Sequence, residues 1–310
     1  MDDRNIKERK QSQDVLFIMT LNGANDHEKF LNLCNLAYKE QAVWFLNASW
    51  NDVGERDAEK IYNYSNKCAA LDLQNGAAGA GLDEFLAHKF LEEFGETLTV
   101  RELRTKLREV GAISDTDRPK LVPLTHYLVF RYNFNWHNLV NASQGDNQEE
   151  IQKAQAMLRS VQAAFKEAER SAHDAKIAQQ ELNAALAELK KQEAEYNGKI
   201  ADAQKRSEEG GVVSRNKAKA ELAQLQAEDP LPLRKAKITT EAAVKKAERT
   251  KIAADAALAD AIKQVAEAEA YLNEVKSRSG SAQGGLWWIE RELYEAKKYL
   301  PTAKGGISKK

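Results

Sequence analysis

Apolar and small residues recur at alternating steps of three and four from Ile151 to Ala203 without losing register. The row runs Ile151, Ala154, Leu158, Val161, Phe165, Ala168, Ala172, Ala175, Gln179, Leu182, Leu186, Leu189, Glu193, Tyr196, Ile200 and Ala203, and only Gln179 and Glu193 interrupt it. Lys, Glu, Gln and Arg fill the positions between. This period predicts one long amphipathic helix with a coiled-coil seam. A helix over 151–206 is roughly 80 Å long at 1.5 Å per residue, and one so rich in alanine needs a partner face to hold it.

That partner lies downstream. EEGGVVSRN (208–216) breaks the pattern, KAKAELAQLQ (217–226) predicts a short helix, and AEDPLPL (227–233) breaks it again. A second alanine-rich helix is predicted from Arg234 to Val275. Its small residues keep the same rhythm at Ala236, Thr240, Ala243, Ala247, Thr250, Ala254, Ala257, Ala261 and Ala268, with a second stripe of Ile252, Leu258, Ile262, Val265 and Leu272. Each alanine buries less than a leucine by about 2 kcal/mol, at ~0.8 kcal/mol per methylene, and length compensates. The expected architecture over 149–276 is a long antiparallel helical hairpin with a helical turn-piece at 208–233. Two helices of a homodimeric coiled coil are the alternative.

Upstream, 28–143 has globular character and holds Cys34, Cys68 and three tryptophans. Mixed three- and four-residue spacing over 28–50 predicts one or two short helices. NGAAGAG (75–81) separates Ala58–Leu73 from a helical stretch at 82–94. Another helix is expected at Thr99–Val110, capped by Thr97 or Thr99, then a loop at 113–123 and a helix at Leu124–Leu139. The first 14 residues are polar, and 1–27 is expected to be a mobile segment. At the other end, 277–310 reads as a flexible linker (277–285), an amphipathic helix LWWIERELYEAKKYL (286–300) stopped by Pro301, and a basic tail with Lys304, Lys309 and Lys310. The fold class is all-α: an EF-hand-like helical N-terminal domain, a long antiparallel coiled-coil-like hairpin, and a short C-terminal helix.

Charge narrows the function classes. Lys and Arg total 46 against 47 Asp and Glu, for a net charge of -1, which weighs against a nucleic-acid partner. No apolar run spans a bilayer, so neither a membrane association nor a secretory route is expected, and the reading is cytoplasmic. Two cysteines make no disulfide framework and have no metal-ligand spacing. The chain lacks the phosphate-cradling glycine loop, the G-x-S-x-G elbow and the H-E-x-x-H helix. His27, His88, His126, His137 and His173 are scattered, so no enzyme is expected.

The one site-like segment is DTDRPKLVPLTH (115–126). A twelve-residue calcium loop wants oxygen ligands at places 1, 3, 5 and 12, glycine at 6 and an apolar residue at 8. Asp115, Asp117 and Val122 fit places 1, 3 and 8. Pro119, Lys120 and His126 stand where a ligand, the glycine and the bidentate Glu belong, so the loop is expected to be degenerate and to have lost calcium. DLQNGAAGAGLDE (72–84) is a weaker second loop. No other cofactor is expected.

Four strings share a pattern with a known family: QAVWFLNASW (41–50), the degraded loop running into HYLVFRYN (126–133), TTEAAVKKAERTK (239–251) and GGLWWIERELYEAKKYL (284–300). With them the chain resembles the calcium-regulated actin-bundling proteins of amoebae, from about residue 30 to 300. The resemblance implies binding along filamentous actin and crosslinking of filaments into bundles through the C-terminal helical part, at the cytoskeleton. In that family calcium weakens bundling; the degenerate loop here implies weakened or lost calcium control. The rivals are a calcium sensor acting on another partner and a structural coiled-coil oligomer without actin contact, and self-association is open.

Actin filaments present an acidic surface, so basic clusters are the contact candidates. These are Arg215, Lys217, Lys219, Arg234, Lys235 and Lys237 near the turn-piece, Lys245, Lys246 and Arg249 on the returning arm, and Lys297 and Lys298 toward the tail. Trp287, Trp288 and Arg291 are candidates for docking the tail helix on the globular part, since adjacent tryptophans on one helix cannot share a groove. A tail clamp released by filament binding follows from the flexible linker.

Overall fold

The computed structural model describes residues 20–117, 119–227, 230–278, 280 and 282–298. Residues 1–19 of the expected mobile segment (1–27) and the tail lysines Lys304, Lys309 and Lys310 lie outside the described residues. The described chain is a series of helices with one two-stranded sheet. It packs as two units, one formed by the described residues of 1–160 and 265–310, the other by 161–264.

In the first unit, α1 (Asp26–Cys34) opens at Asn25, whose side chain accepts from the Glu28 amide at 2.9 Å. It is followed by α2 (Tyr38–Ser49), a π-helical turn (Trp50–Gly54) and α3 (Glu55–Leu71). Helix α4 (Glu84–Glu93) is capped by Asp83, and α5 (Val100–Glu109) by Thr99, whose hydroxyl accepts from the Glu102 amide while Glu102 accepts from the Thr99 amide. The expected single helix over Leu124–Leu139 is in fact two, α6 (Leu124–Arg131) and α7 (Trp136–Asn141). Asn133 takes φ 46° between them, a left-handed conformation that asparagine tolerates. The break sends Phe134 against Phe45, 5.4 Å between ring centroids, and Asn135 then caps α7.

Two short strands, β1 (Gly81–Leu82) and β2 (Val122–Pro123), join antiparallel with Leu82 opposite Val122. They couple the loop between α3 and α4 to the loop between α5 and α6.

Helix α8 (Gln148–Glu208), α9 (Val212–Ala227) and α10 (Leu231–Lys276) form the hairpin, and α11 (Gln283–Lys297) follows. The reversal after α8 takes only Glu209–Gly211, with Gly210 at φ 105°. Helix α9 starts before the predicted 217 because Val212 and Val213 are helical but exposed, and so add nothing to an apolar period. In the first unit Ile151, Ala154 and Leu158 of α8 and Val265, Ala268, Leu272 and Val275 of α10 are buried. Antiparallel pairing there shows in Arg278–Glu150 at 2.9 Å and in Lys153 over the Tyr271 ring.

In the second unit, the Thr240 hydroxyl donates to the Ala185 carbonyl (3.2 Å) and Lys246 pairs with Glu181 (2.5 Å), so α10 runs antiparallel to α8. Helix α9 also runs back along α8, with Tyr196 donating to the Leu225 carbonyl (2.6 Å) and Arg206 paired with Glu221 (3.0 Å). The seam differs from the predicted row at every second position from 172 to 193. Ser171, Ala178, Ala185 and Gln192 turn inward, whereas Ala172, Gln179, Leu186 and Glu193, one residue further on, are exposed. The two apparent interruptions are therefore surface positions. Small residues win the seam because they let backbones approach, which leaves Leu186 39% exposed. On α10 the small-residue row from Ala236 to Ala261 faces inward as its rhythm predicts, while Ile252 of the second stripe is exposed.

Candidate functional site

Three places in the molecule hold the candidate residues, and the coupled loops come first. Gln41, fully buried on α2, ties them together. Its amide donates to the carbonyls of Leu36 and Ala80 (both 2.7 Å), and its oxygen accepts from the amide and hydroxyl of Thr125 (both 2.9 Å). The first loop spends its acids on structure: Asp72 accepts from Tyr38 and the Asn75 amide, and Asp83 caps α4. In the second loop Asp117 accepts from the Ser114 amide and lies 3.8 Å from His27.

His126, in the place of the bidentate ligand, is buried and stacked on Phe30 with ring centroids 5.8 Å apart. Burial first, and then the Arg104 charge, push its pKa down to about 3, so it is a neutral core residue. Two arginines of α5 reach the loop carbonyls: Arg108 donates to Asp117 (3.0 Å) and Arg104 to Pro119 (2.9 Å). Guanidinium groups thus hold oxygens at the third and fifth places of the loop. Among the described residues no three His, Cys, Asp or Glu side chains come together as a metal cluster. This donor set does not fit a calcium ion.

The second place is α11. Leu286, Trp288, Ile289 and Leu293 are buried, and Trp287 is half-buried. Trp288 lies 4.9 Å from the Tyr62 ring and donates to Glu292, which pairs with Lys39 at 2.8 Å. Arg291 makes a two-pronged pair with Glu59 (2.7 and 2.8 Å) and a further one with Glu295; both carboxylates hold the guanidinium charged. Gly284 and Gly285 were expected in a flexible linker. They lie in the first turn of α11 instead, because a β-carbon on Gly284 meets Leu46 Cβ at 2.6 Å and the Asn47 amide at 2.7 Å. The Gly285 amide donates to Asn47 Oδ1 at 2.8 Å. Two of the four strings noted in the sequence, FLNA and GGLWW, therefore meet face to face. Lys297 pairs with Glu269 and Lys298 with Glu295, so both are engaged within the first unit.

The third place is the basic part of the second unit. Leu231, Ile238, Lys245 and Ile252 repeat every seven residues on α10, on the side opposite the buried Ala236 and Thr240 and the half-buried Ala243 and Ala247. The three apolar members are 71%, 64% and 69% exposed. Lys235, Lys245 and Arg249 form no ion pair among the described residues, whereas Lys246 is engaged by Glu181. Arg234 and Lys237 each have an interaction of their own. On α9, Arg215, Lys217 and Lys219 are exposed beside Val212 and Val213. Sequence reasoning found the charges but not the exposed Leu231 and Ile238, since neither belongs to a seam row.

Residues 142–278 match the family described as F actin bundling C terminal. Among solved structures, the chain is similar to the 34 kDa F-actin bundling protein from Dictyostelium discoideum, with 22% identity over 90% of this chain and 99% of that one and a TM-score of 0.48. No curated protein matches the chain. No helix among the described residues is long and apolar enough to cross a membrane.

Proposed function

We propose that the protein is a non-enzymatic cytoskeletal component that binds filamentous actin and crosslinks filaments into bundles. The observation that carries this reading is the outward side of α10, where exposed Leu231, Ile238 and Ile252 alternate with uncompensated Lys245 and Arg249, inside the segment that matches the bundling family. Exposed apolar residues in a row mark an interaction surface. Cations among them select an acidic partner and disfavour a second copy of the same face. A crosslinker needs a second contact, and Arg215, Lys217 and Lys219 beside Val212 and Val213 on α9 supply one.

The reading makes bundling independent of calcium. Arg104 and Arg108 hold the loop carbonyls, and His126 is sealed in the core. Sedimentation with actin filaments tests both halves. At high speed, Lys245→Glu with Arg249→Glu is expected to weaken co-sedimentation about tenfold or more, given two charge reversals at a contact. At low speed, Arg215→Glu, Lys217→Glu and Lys219→Glu together are expected to abolish bundling while binding survives. Calcium is expected to change neither. Absence of co-sedimentation by the unmodified protein would defeat the proposal.

A further inference from the structure

Helix α5 concentrates charge in a way that holding the loop does not explain. Val100, Leu103 and Leu107 of this helix are buried, while Arg101, Arg104 and Arg108 follow one another three and four residues apart on another face. Like charges at these spacings weaken a helix. The three arginines line an open cleft of about 520 Å³ together with Glu84 of α4 and Asp115 of the second loop. Arg104 pairs with Glu84 at 3.1 Å. Among the described residues Arg108 has only the Asp117 carbonyl, which orients a guanidinium without cancelling its charge. The Nε–H groups of Arg104 and Arg108 are buried without an acceptor, an uncommon state for a buried donor. Arg101 is exposed and has no partner among the described residues. Three guanidiniums against two carboxylates leave the cleft positive.

We propose that this cleft binds a small phosphate monoester bearing hydroxyl groups. Arg101 and Arg108 take the phosphate, because the guanidinium fork matches its oxygens and makes charge-assisted hydrogen bonds. Glu84 and Asp115, acceptors only, take the hydroxyls. The volume falls in the roughly 300–1,000 Å³ range of small-ligand sites. Such a ligand bridges α5 to the loop, so an anion stiffens this hand where a cation stiffens a calcium-binding one. The inference does not rest on filament binding.

Isothermal titration of the full chain with glycerol 3-phosphate at low salt is the test. Saturable binding is expected, with none for glycerol. Arg101→Gln is expected to weaken it about tenfold, the effect of losing one charge-assisted contact, with an unchanged melting curve because Arg101 is exposed. Lys245→Gln, which removes a cation elsewhere, is expected to leave binding intact. No saturable binding in the millimolar range overturns the proposal, and so does equal weakening by Arg101→Gln and Lys245→Gln.

Discussion

The two units bury opposite kinds of side chain. The first fills its interior with Trp288, Tyr38, Tyr127, Phe30 and Phe45, whereas the described interior of the second is mostly Ala178, Ala203, Ala218, Ala236, Ala261, Ser171 and Thr240, with Val161 and Leu233 the larger members. A compact core of aromatics concentrates energy in a few residues, since each ring buries a large area and its edges lock into neighbours. A seam of alanines spreads a small gain over many layers and in return brings backbones close enough for Thr240 to reach the Ala185 carbonyl. The difference teaches where each unit is vulnerable: the first to loss of a side chain, the second to gain of one.

The largest effect should come from Trp288→Ala. It is expected to destabilise the first unit by about 3–5 kcal/mol, read by urea unfolding followed through tryptophan fluorescence. A loss below the range of an ordinary surface substitution would break the contrast at its strongest point. Next is the pH response of His126. Its pKa is depressed from 6.5 to about 3 in the folded protein, so the unfolded chain takes up the proton first as pH falls. The stabilisation is complete above pH 6.5 and is lost progressively toward pH 3. Between pH 7 and 5 that costs about 2 kcal/mol. His126→Gln is expected to remove this part of the slope, and an unchanged slope would show that His126 is not sealed.

Smaller again is Ala178→Leu in the seam. Overpacking there is expected to cost about 1–3 kcal/mol, seen as a lower midpoint for helix loss by circular dichroism. Stabilisation by the larger residue would mean the seam is loose. Smallest is Leu186→Gln, expected to cost less than about 1 kcal/mol because the side chain lies outside the seam and is 39% exposed. A cost like that of a core leucine would restore the seam that periodicity alone suggests.

Much of the fold was legible in the chain. The three- and four-residue rhythm placed α8 and α10 and their antiparallel pairing, and Asp115, Asp117 and Val122 located a loop that does couple to its neighbour. The alternation of the seam was not legible, because a heptad row can be completed by the residue at either a step of three or a step of four. The bulkier choice, Leu186 over Ala185, looked better on hydrophobicity. Gly284 and Gly285 looked like a linker since glycine serves flexible and crowded places alike. The candidate cations were all visible, but Lys246 was indistinguishable from Lys245 until Glu181 stood beside it.

Local pattern, charge and caps were the chain's own to determine: which segments are helices, that one seam is built of small residues, and that Pro119, Lys120 and His126 stand where a calcium loop has a ligand, a glycine and a bidentate Glu. Tertiary structure alone decided which residues reach that seam, that FLNA and GGLWW close on each other, that Arg104 and Arg108 take the loop carbonyls, and that Leu231 and Ile238 are left facing solvent. Periodicity and capping are properties of a few neighbouring residues, whereas contact and exposure depend on what a distant stretch of chain brings to the same point in space.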